Sequence, residues 1–232
     1  MWAKLIAWAV AIASVALACG GSAHATPSQS PNVVYGFAGL TAEDKDDEVQ
    51  ALRATITWTV APRSSSPYSV STWIAFAAPA GDTTGGNGVS YRIVQIGWIQ
   101  KSPNDYRLFW EWDTSPTDHH FKTGGKVEPG MPLRAEIDRD TQVGFTLHAN
   151  DVLLASVQVG WTPTSIGIFA ETHSPTDYLP GSSAKPEIIS GLEREVGGRW
   201  APYQGSVFST NDQYRVSVGI DDPSVVIWDA RQ

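Results

Sequence analysis

The chain has a single cysteine, Cys19, among its 232 residues, so no intrachain disulfide can form. Its stability must therefore come from a hydrophobic core, which a chain of this length can bury. Removal of Cys19 during maturation would also exclude a thiol nucleophile.

The N-terminal residues predict a secretory signal peptide. Lys4 is followed by the apolar run Leu5–Ala18, and Ala23-His24-Ala25 is a small-x-small cleavage signal. We expect residues 1–25 to be removed and the mature protein to be extracellular or periplasmic. A lipid anchor through Cys19 is a minor alternative, because the residues before it loosely resemble a lipobox.

Positive charge is scarce. The chain has 16 Lys and Arg against 24 Asp and Glu, a net charge of −8 that becomes −9 when Lys4 is removed. An acidic surface disfavours binding to nucleic acid or anionic membranes. No later apolar run is long enough to cross a bilayer. We expect a monomer with no nucleic-acid partner and no integral membrane span.

Sustained helical periodicity is also missing, and Ile188–Val196 is the only segment that we predict as a helix. Short alternating runs bounded by Pro, Gly, Asn, Asp and Ser dominate from Leu52 onward. They predict an all-β fold, a twisted antiparallel β-sandwich of roughly ten or more strands. We expect residues 26–50 to form a flexible leader and the start of the domain, and 51–232 a single β-sandwich domain. The charge run Glu43–Glu48 is interpreted as a solvated loop.

Several kinds of site lack their motifs. There is no His-Glu-x-x-His and no cysteine ligand set, so His119, His120, His148 and His173 are interpreted as surface histidines. The glycine-rich stretch Gly81–Gly88 lacks the lysine of a phosphate loop. We expect no metal and no cofactor. No Gly-x-Ser-x-Gly elbow is present, although a Ser-His-Asp triad is recognised by geometry and stays open.

What the chain does have is a polar pair in an apolar hairpin spanning residues 91–113. The turn Ser102-Pro103-Asn104-Asp105 joins two alternating strands, and pairing of odd with odd positions puts Gln95, Phe109 and Glu111 on one face. An amide among apolar residues must find partners or cost stability. A structural and a functional role for Gln95 are equally open on this basis.

Glu111-Trp112-Asp113 begins like the Glu-x-Asp-x-x-Glu pattern of some β-sandwich glucanases. Pro116 stands where the second glutamate belongs, so the acid–base partner of a retaining mechanism is missing. Glu171 is the last residue of another apolar run, Ser165–Glu171. A glutamate at the end of an apolar strand is often no more than a polar residue that faces water.

Taken in order, four short motifs resemble those of the glutamic peptidases, the eqolisin or scytalidoglutamic-peptidase family. The motifs are VSTWIA from Val70, IVQIG around Gln95, FWEW around Glu111 and FAE ending at Glu171, within a stretch from about Thr55 to Leu179. Each is short, and the ordered set carries the resemblance.

The resemblance implies a secreted, acid-acting endopeptidase with a concanavalin-like β-sandwich of the jelly-roll type and a Gln/Glu dyad. Gln95 and Glu171 would be the catalytic residues, with Trp73, Phe109 and Glu111 lining the cleft for a polypeptide substrate. Glu171 would act as general base on the attacking water, and Gln95 would orient that water and stabilise the oxyanion.

The sequence departs from the family pattern at three positions: Thr172 stands for a tryptophan, and Ile99 and Arg107 stand for acidic residues. These changes keep a noncatalytic relative open. The alternative function is a carbohydrate-binding, lectin-like sandwich that uses tryptophans as sugar platforms. Eight tryptophans would survive processing: Trp58, Trp73, Trp98, Trp110, Trp112, Trp161, Trp200 and Trp228.

Overall fold

The structure is a computed structural model that describes residues 36–44, 48–58, 67–79, 91–115, 117–173, 176–210, 212–219 and 224–232. The predicted signal peptide, the residues 26–35 of the predicted leader and the stretch Gly81–Gly88 lie outside these ranges. The described residues form fifteen strands: β1 Gly36–Glu43, β2 Val49–Thr57, β3 Val70–Pro79, β4 Tyr91–Ser102, β5 Asp105–Ser115, β6 Asp118–Val127, β7 Leu133–Arg139, β8 Gly144–Ala149, β9 Val152–Gln158, β10 Ser165–Thr172, β11 Glu187–Val196, β12 Arg199–Pro202, β13 Ser206–Ser209, β14 Tyr214–Val218 and β15 Val225–Asp229.

The strands make two antiparallel sheets. Sheet A has the order β13-β1-β10-β3-β4-β5-β6, and sheet B has the order β14-β15-β11-β2-β7-β8-β9 with β12 added beside β11. The predicted all-β, concanavalin-like antiparallel sandwich is confirmed. Within the described ranges no helix is long and apolar enough to span a membrane.

The core lies between the two sheets and follows the period-two alternation of the strands. Ile74 and Ile96 of sheet A and Leu52 and Ile137 of sheet B are all fully buried in this core. Trp98 of β4 stacks on Trp58, which follows β2, with ring centroids 4.4 Å apart. Every second residue of sheet A therefore points away from the core, onto the face that we call the outer face of sheet A.

The predicted helix at Ile188–Val196 is wrong, because these residues belong to strand β11. The register of β11 against β2 shifts between Ser190 and Glu193, and Gly191 between them has φ of 56°. This β-bulge inserts a residue and breaks the alternation. The buried positions Ile189 and Leu192 thus fall three residues apart, which imitates helical spacing.

The hairpin expected around Gln95 is formed. Ser102 of β4 pairs with Asp105 of β5 across a turn in which Asn104 has φ of 63°. Asparagine tolerates this left-handed conformation better than most residues. The expected register is confirmed, since Gln95 lies directly opposite Glu111.

The charge run Glu43–Glu48 is not a fully solvated loop, because Asp44 is 6% exposed. Its Oδ1 accepts a hydrogen bond from the Val49 amide at 3.1 Å, and its Oδ2 lies 3.7 Å from Nη1 of Arg139. The Asp44 carboxylate therefore links the residue after β1 to the first residue of β2 and to β7, whereas residues 45–47 lie outside the described ranges.

Candidate active site on the outer face of sheet A

The candidate site lies on a second apolar cluster, separate from the core between the sheets. Eight buried residues on the outer face of sheet A form it: Phe37, Trp73, Ala75, Ala77, Ile93, Ile99, Phe109 and Phe169. Gln95, Glu111 and Glu171 lie on the same face and are all buried, so these polar groups are largely removed from water.

Gln95 and Glu111 are in direct contact on this face. Nε2 of Gln95 donates a hydrogen bond to Oε2 of Glu111 over 3.1 Å. Gln95 is 6% exposed and Glu111 is 1% exposed. Among the described residues, Oε1 of Gln95 has no hydrogen-bond partner. The amide therefore holds the carboxylate with one end and offers a buried acceptor with the other.

Glu171 has its own set of partners. Nε1 of Trp73 donates to its Oε2 over 2.8 Å, and Oγ of Ser71 donates to the same oxygen over 3.3 Å. His173 approaches from the end of β10, with Nε2 lying 2.7 Å from Oε1. Burial lowers the pKa of His173, but the charge and hydrogen bond of Glu171 outweigh it and raise that pKa overall.

The structure does not bring Gln95 and Glu171 to the same level of the sheet. The line of paired residues through Gln95 runs from Glu111 through Gln95 and Ala75 to Gly167. Glu171 lies four residues further along β10, where it pairs with Ser71. The two residues are offset by four positions along the strands (about 13 Å) and by two strand spacings across the sheet (about 10 Å). Because these offsets are perpendicular, the Cα atoms of Gln95 and Glu171 are roughly 16 Å apart.

Phe169 occupies the space beside Gly167. A Cβ added to Gly167 would lie 2.6 Å from Cε2 of the Phe169 ring. A side chain at this position would thus have to displace the ring. β10 consequently presents no side chain at the position level with Gln95.

Trp73 and Phe109, the other expected cleft residues, lie on the outer face but are 2% and 1% exposed. Trp73 packs against Phe169 with ring centroids 5.2 Å apart, and Phe109 stacks on Phe121 at 5.9 Å. Trp73 also fixes Glu171, so it has a polar as well as a packing role.

The three departures from the family pattern have clear places in the structure. Ile99 and Arg107 lie on the line of Glu171 and Ser71, where Ile99 is buried and Arg107 pairs with Asp105 at 2.7 Å. Thr172 points the other way and shares a 3.2 Å hydrogen bond with the Tyr214 hydroxyl.

A second polar pair lies next to Glu111 and was missed from the sequence. Asp113 is fully buried; its Oδ1 lies 2.6 Å from Nδ1 of His119, and its Oδ2 accepts the Ile93 amide at 3.0 Å. Burial raises the pKa of Asp113, although His119 opposes this effect. The polar turn that follows Asp113 in the sequence could have indicated this pair, because a hairpin at that turn places His119 directly opposite Asp113.

No protein-family model matches the chain, and no curated protein matches it. Solved structures do. SCP-B, a member of the eqolisin family of peptidases in complex with the tripeptide Ala-Ile-His, matches with a TM-score of 0.60 and 13% identity. The match covers 86% of this chain and 100% of that chain. The chain has the eqolisin fold.

Scytalido-glutamic peptidase with a peptide-based transition state analogue matches with a TM-score of 0.58 and 15% identity, again over 86% of this chain and 100% of that chain. At such identities the similarity shows the fold. The resemblance found in the motifs thus extends to the whole eqolisin fold, and the chemistry has to be argued from the residues of the outer face.

Proposed function

We propose that this chain is a secreted, acid-acting endopeptidase in which Gln95 and a buried glutamate activate water for peptide hydrolysis. The observation that carries the proposal is the 3.1 Å hydrogen bond between Gln95 and Glu111 on the outer face of an eqolisin-fold sandwich. The acceptor left over on Gln95 can hold a water beside that carboxylate.

The chemistry that follows is general acid–base catalysis. A water donates one hydrogen bond to Oε1 of Gln95 and gives its other proton to the carboxylate while its oxygen bonds to the scissile carbonyl carbon. The amide N–H of Gln95 that does not bind Glu111 can donate to the developing oxyanion. The carboxyl then returns the proton to the amine nitrogen as the C–N bond breaks.

Two glutamates compete for the role of base. The motif resemblance implies Glu171, whereas the contact geometry favours Glu111. A base must reach the attacking water directly or through one further water, so it must lie within about 5.5 Å of the oxygen of the attacking water. By strand register the Cα atom of Glu171 lies roughly 16 Å from that of Gln95. The Glu171 carboxylate is in contact with Trp73 and His173 instead. We therefore assign the base to Glu111 and a supporting role to Glu171.

The experiment is digestion of an acid-denatured protein by the mature chain between pH 2 and pH 7. Glu111→Gln and Gln95→Ala should each lower the rate at least about 100-fold, because each removes a group that contacts the water. Glu171→Gln should keep measurable cleavage, and Glu128→Gln, at an exposed carboxylate outside the face, should match wild type.

The outcomes separate the assignments, provided that circular dichroism shows each variant to be folded. If Glu171→Gln alone abolishes cleavage, the base is Glu171 and the assignment to Glu111 falls. If the wild-type chain cleaves nothing across the pH range, the peptidase proposal itself falls.

A second candidate is a noncatalytic protein of the same fold that binds polypeptides. The observation that favours it is Gly167, which leaves the position level with Gln95 without a side chain. Binding of a denatured polypeptide without cleavage would support this candidate. The carbohydrate-binding alternative has less support, because sugar platforms need exposed rings and Trp58, Trp73, Trp98 and Trp161 are buried.

A further inference from the structure

Three metal-ligating side chains meet on the far side of the sandwich, on the outer face of sheet B. Glu136 and Asp138 are two residues apart on β7 and so point the same way, and His148 on β8 lies directly opposite Glu136. One ligand atom from each residue can be chosen so that all three lie within 4.8 Å of one another.

The arrangement suits a single small cation. Zinc–ligand distances of about 2.0–2.2 Å to imidazole nitrogen and carboxylate oxygen place ligand atoms roughly 3–4 Å apart around one ion. Binding an ion would draw the three ligand atoms together from their present separations of up to 4.8 Å. All three side chains are half-buried, which leaves room for water at the remaining coordination positions.

The charges around the group favour a cation. Two arginines are near, but each has a closer carboxylate of its own. Arg53 binds Glu193 at 2.6 Å, and Arg134 binds Asp151 at 2.9 Å while standing 4.0 Å from Glu136.

The two arginines therefore neutralise the carboxylates of Glu136 and Asp138 only in part. A bound cation would reduce the electrostatic repulsion between the carboxylates of Glu136 and Asp138.

We propose that Glu136, Asp138 and His148 bind a divalent first-row transition ion such as Zn²⁺. A mixed set of two carboxylates and one imidazole suits such an ion better than Ca²⁺, which takes oxygen ligands. The site is on the opposite sheet from Gln95 and is independent of the proposed peptidase activity.

The test is calorimetric titration of the chelator-treated, dialysed full-length mature chain with Zn²⁺, together with Co²⁺ absorption spectra. We expect one ion per chain, visible cobalt bands and a higher melting temperature with zinc. His148→Ala and Asp138→Asn should weaken zinc binding by at least about tenfold, since even outer-sphere partners of metal ligands contribute about 10–100-fold.

His120→Ala is the matched control, because His120 lies near Asp118 on β6 and outside the cluster. It should bind zinc as wild type does. Wild-type binding that is lost in His120→Ala but kept in His148→Ala would overturn the proposal, as would the absence of binding to wild type at millimolar zinc. If His148→Ala fails to fold, the zinc affinity of Asp138→Asn decides: unchanged affinity in that variant would overturn the proposal.

Discussion

Gly167 of β10 lies on the same cross-strand line as Gln95 of β4, with only Ala75 between them. The chain has the eqolisin fold. Because residue 167 is glycine, however, the position of β10 that is level with Gln95 carries no functional group. Its neighbour Phe169 closes over the gap. On the other side of Gln95, β5 supplies Glu111, whose carboxylate accepts a hydrogen bond from the Gln95 amide.

Trp73→Phe should destabilise the protein by about 1–3 kcal/mol. The change keeps most of the ring packing but removes the N–H that donates to the buried carboxylate of Glu171 at 2.8 Å, leaving that charge with fewer partners. Urea unfolding monitored by far-UV circular dichroism measures the effect. In a double-mutant cycle with Glu171→Gln, the two effects should not add; simple additivity would contradict the contact.

His173 should titrate above its ordinary pKa of 6.5. Burial lowers this pKa, but the charge and hydrogen bond of Glu171 and the charge of Asp177 together outweigh burial. Glu171→Gln should lower the pKa of His173, measured by NMR titration of the histidine ring. The pair contributes stability below pH 6.5 that is lost as the pH rises through the folded-state pKa. An unchanged titration of His173 in the variant would rule out the pairing.

The protein should lose stability as the pH rises from about 4.5 to 8. Glu187 is fully buried between the sheets, where burial raises its pKa from 4.5 to about 8 although Thr72 and Trp98 donate hydrogen bonds to it. In this interval the folded state keeps a proton that the unfolded state releases, so unfolding becomes easier as the pH rises. One pKa unit corresponds to about 1.4 kcal/mol, so the loss is on the order of a few kcal/mol.

Glu187→Gln should flatten this dependence, because an amide of the same shape does not titrate. Urea unfolding at pH 5 and pH 8 compares the two proteins, and the contribution of other titrating groups is common to both. Equal losses of stability in wild type and variant would show that Glu187 is not the cause.

Gly191→Ala should cost about 1–2 kcal/mol, because Gly191 has a left-handed φ of 56° that alanine adopts reluctantly. Gly125→Ala in β6 is the matched control. A Cβ meets nothing within 4 Å at either position, so the two differ in backbone conformation and not in available space. Thermal unfolding should show a lower melting temperature for the first variant only. Equal melting temperatures would contradict a conformational requirement at Gly191.

Local patterns in the sequence were enough for the sandwich and for the hairpin that contains Gln95. Alternation sets which residues face the core, and the turn around Asn104 sets the register between β4 and β5. Gln95 and Glu111 could therefore be placed side by side from the amino-acid sequence alone.

The relation of Gln95 to β10 could not be obtained in this way. It depends on how β10 aligns with β3, which is more than 80 residues earlier in the chain and has no connecting turn to fix the register. The motif that ends at Glu171 predicts a strand, but it does not predict which residues of β3 and β4 lie beside Glu171. The wrong helix prediction at Ile188–Val196 has a related cause. The bulge at Gly191 inserts one residue, which changes the spacing of the buried side chains.

The order of strands in sheet A also has a consequence for when the protein can fold. β1 is the first of the described strands, and it pairs with β10 and β13, which are more than 120 residues later in the sequence. Contacts between such distant segments close large loops and slow folding. A chain emerging from the ribosome cannot complete sheet A until β13 has been synthesised, so β1 has no strand partner in this sheet during most of that time.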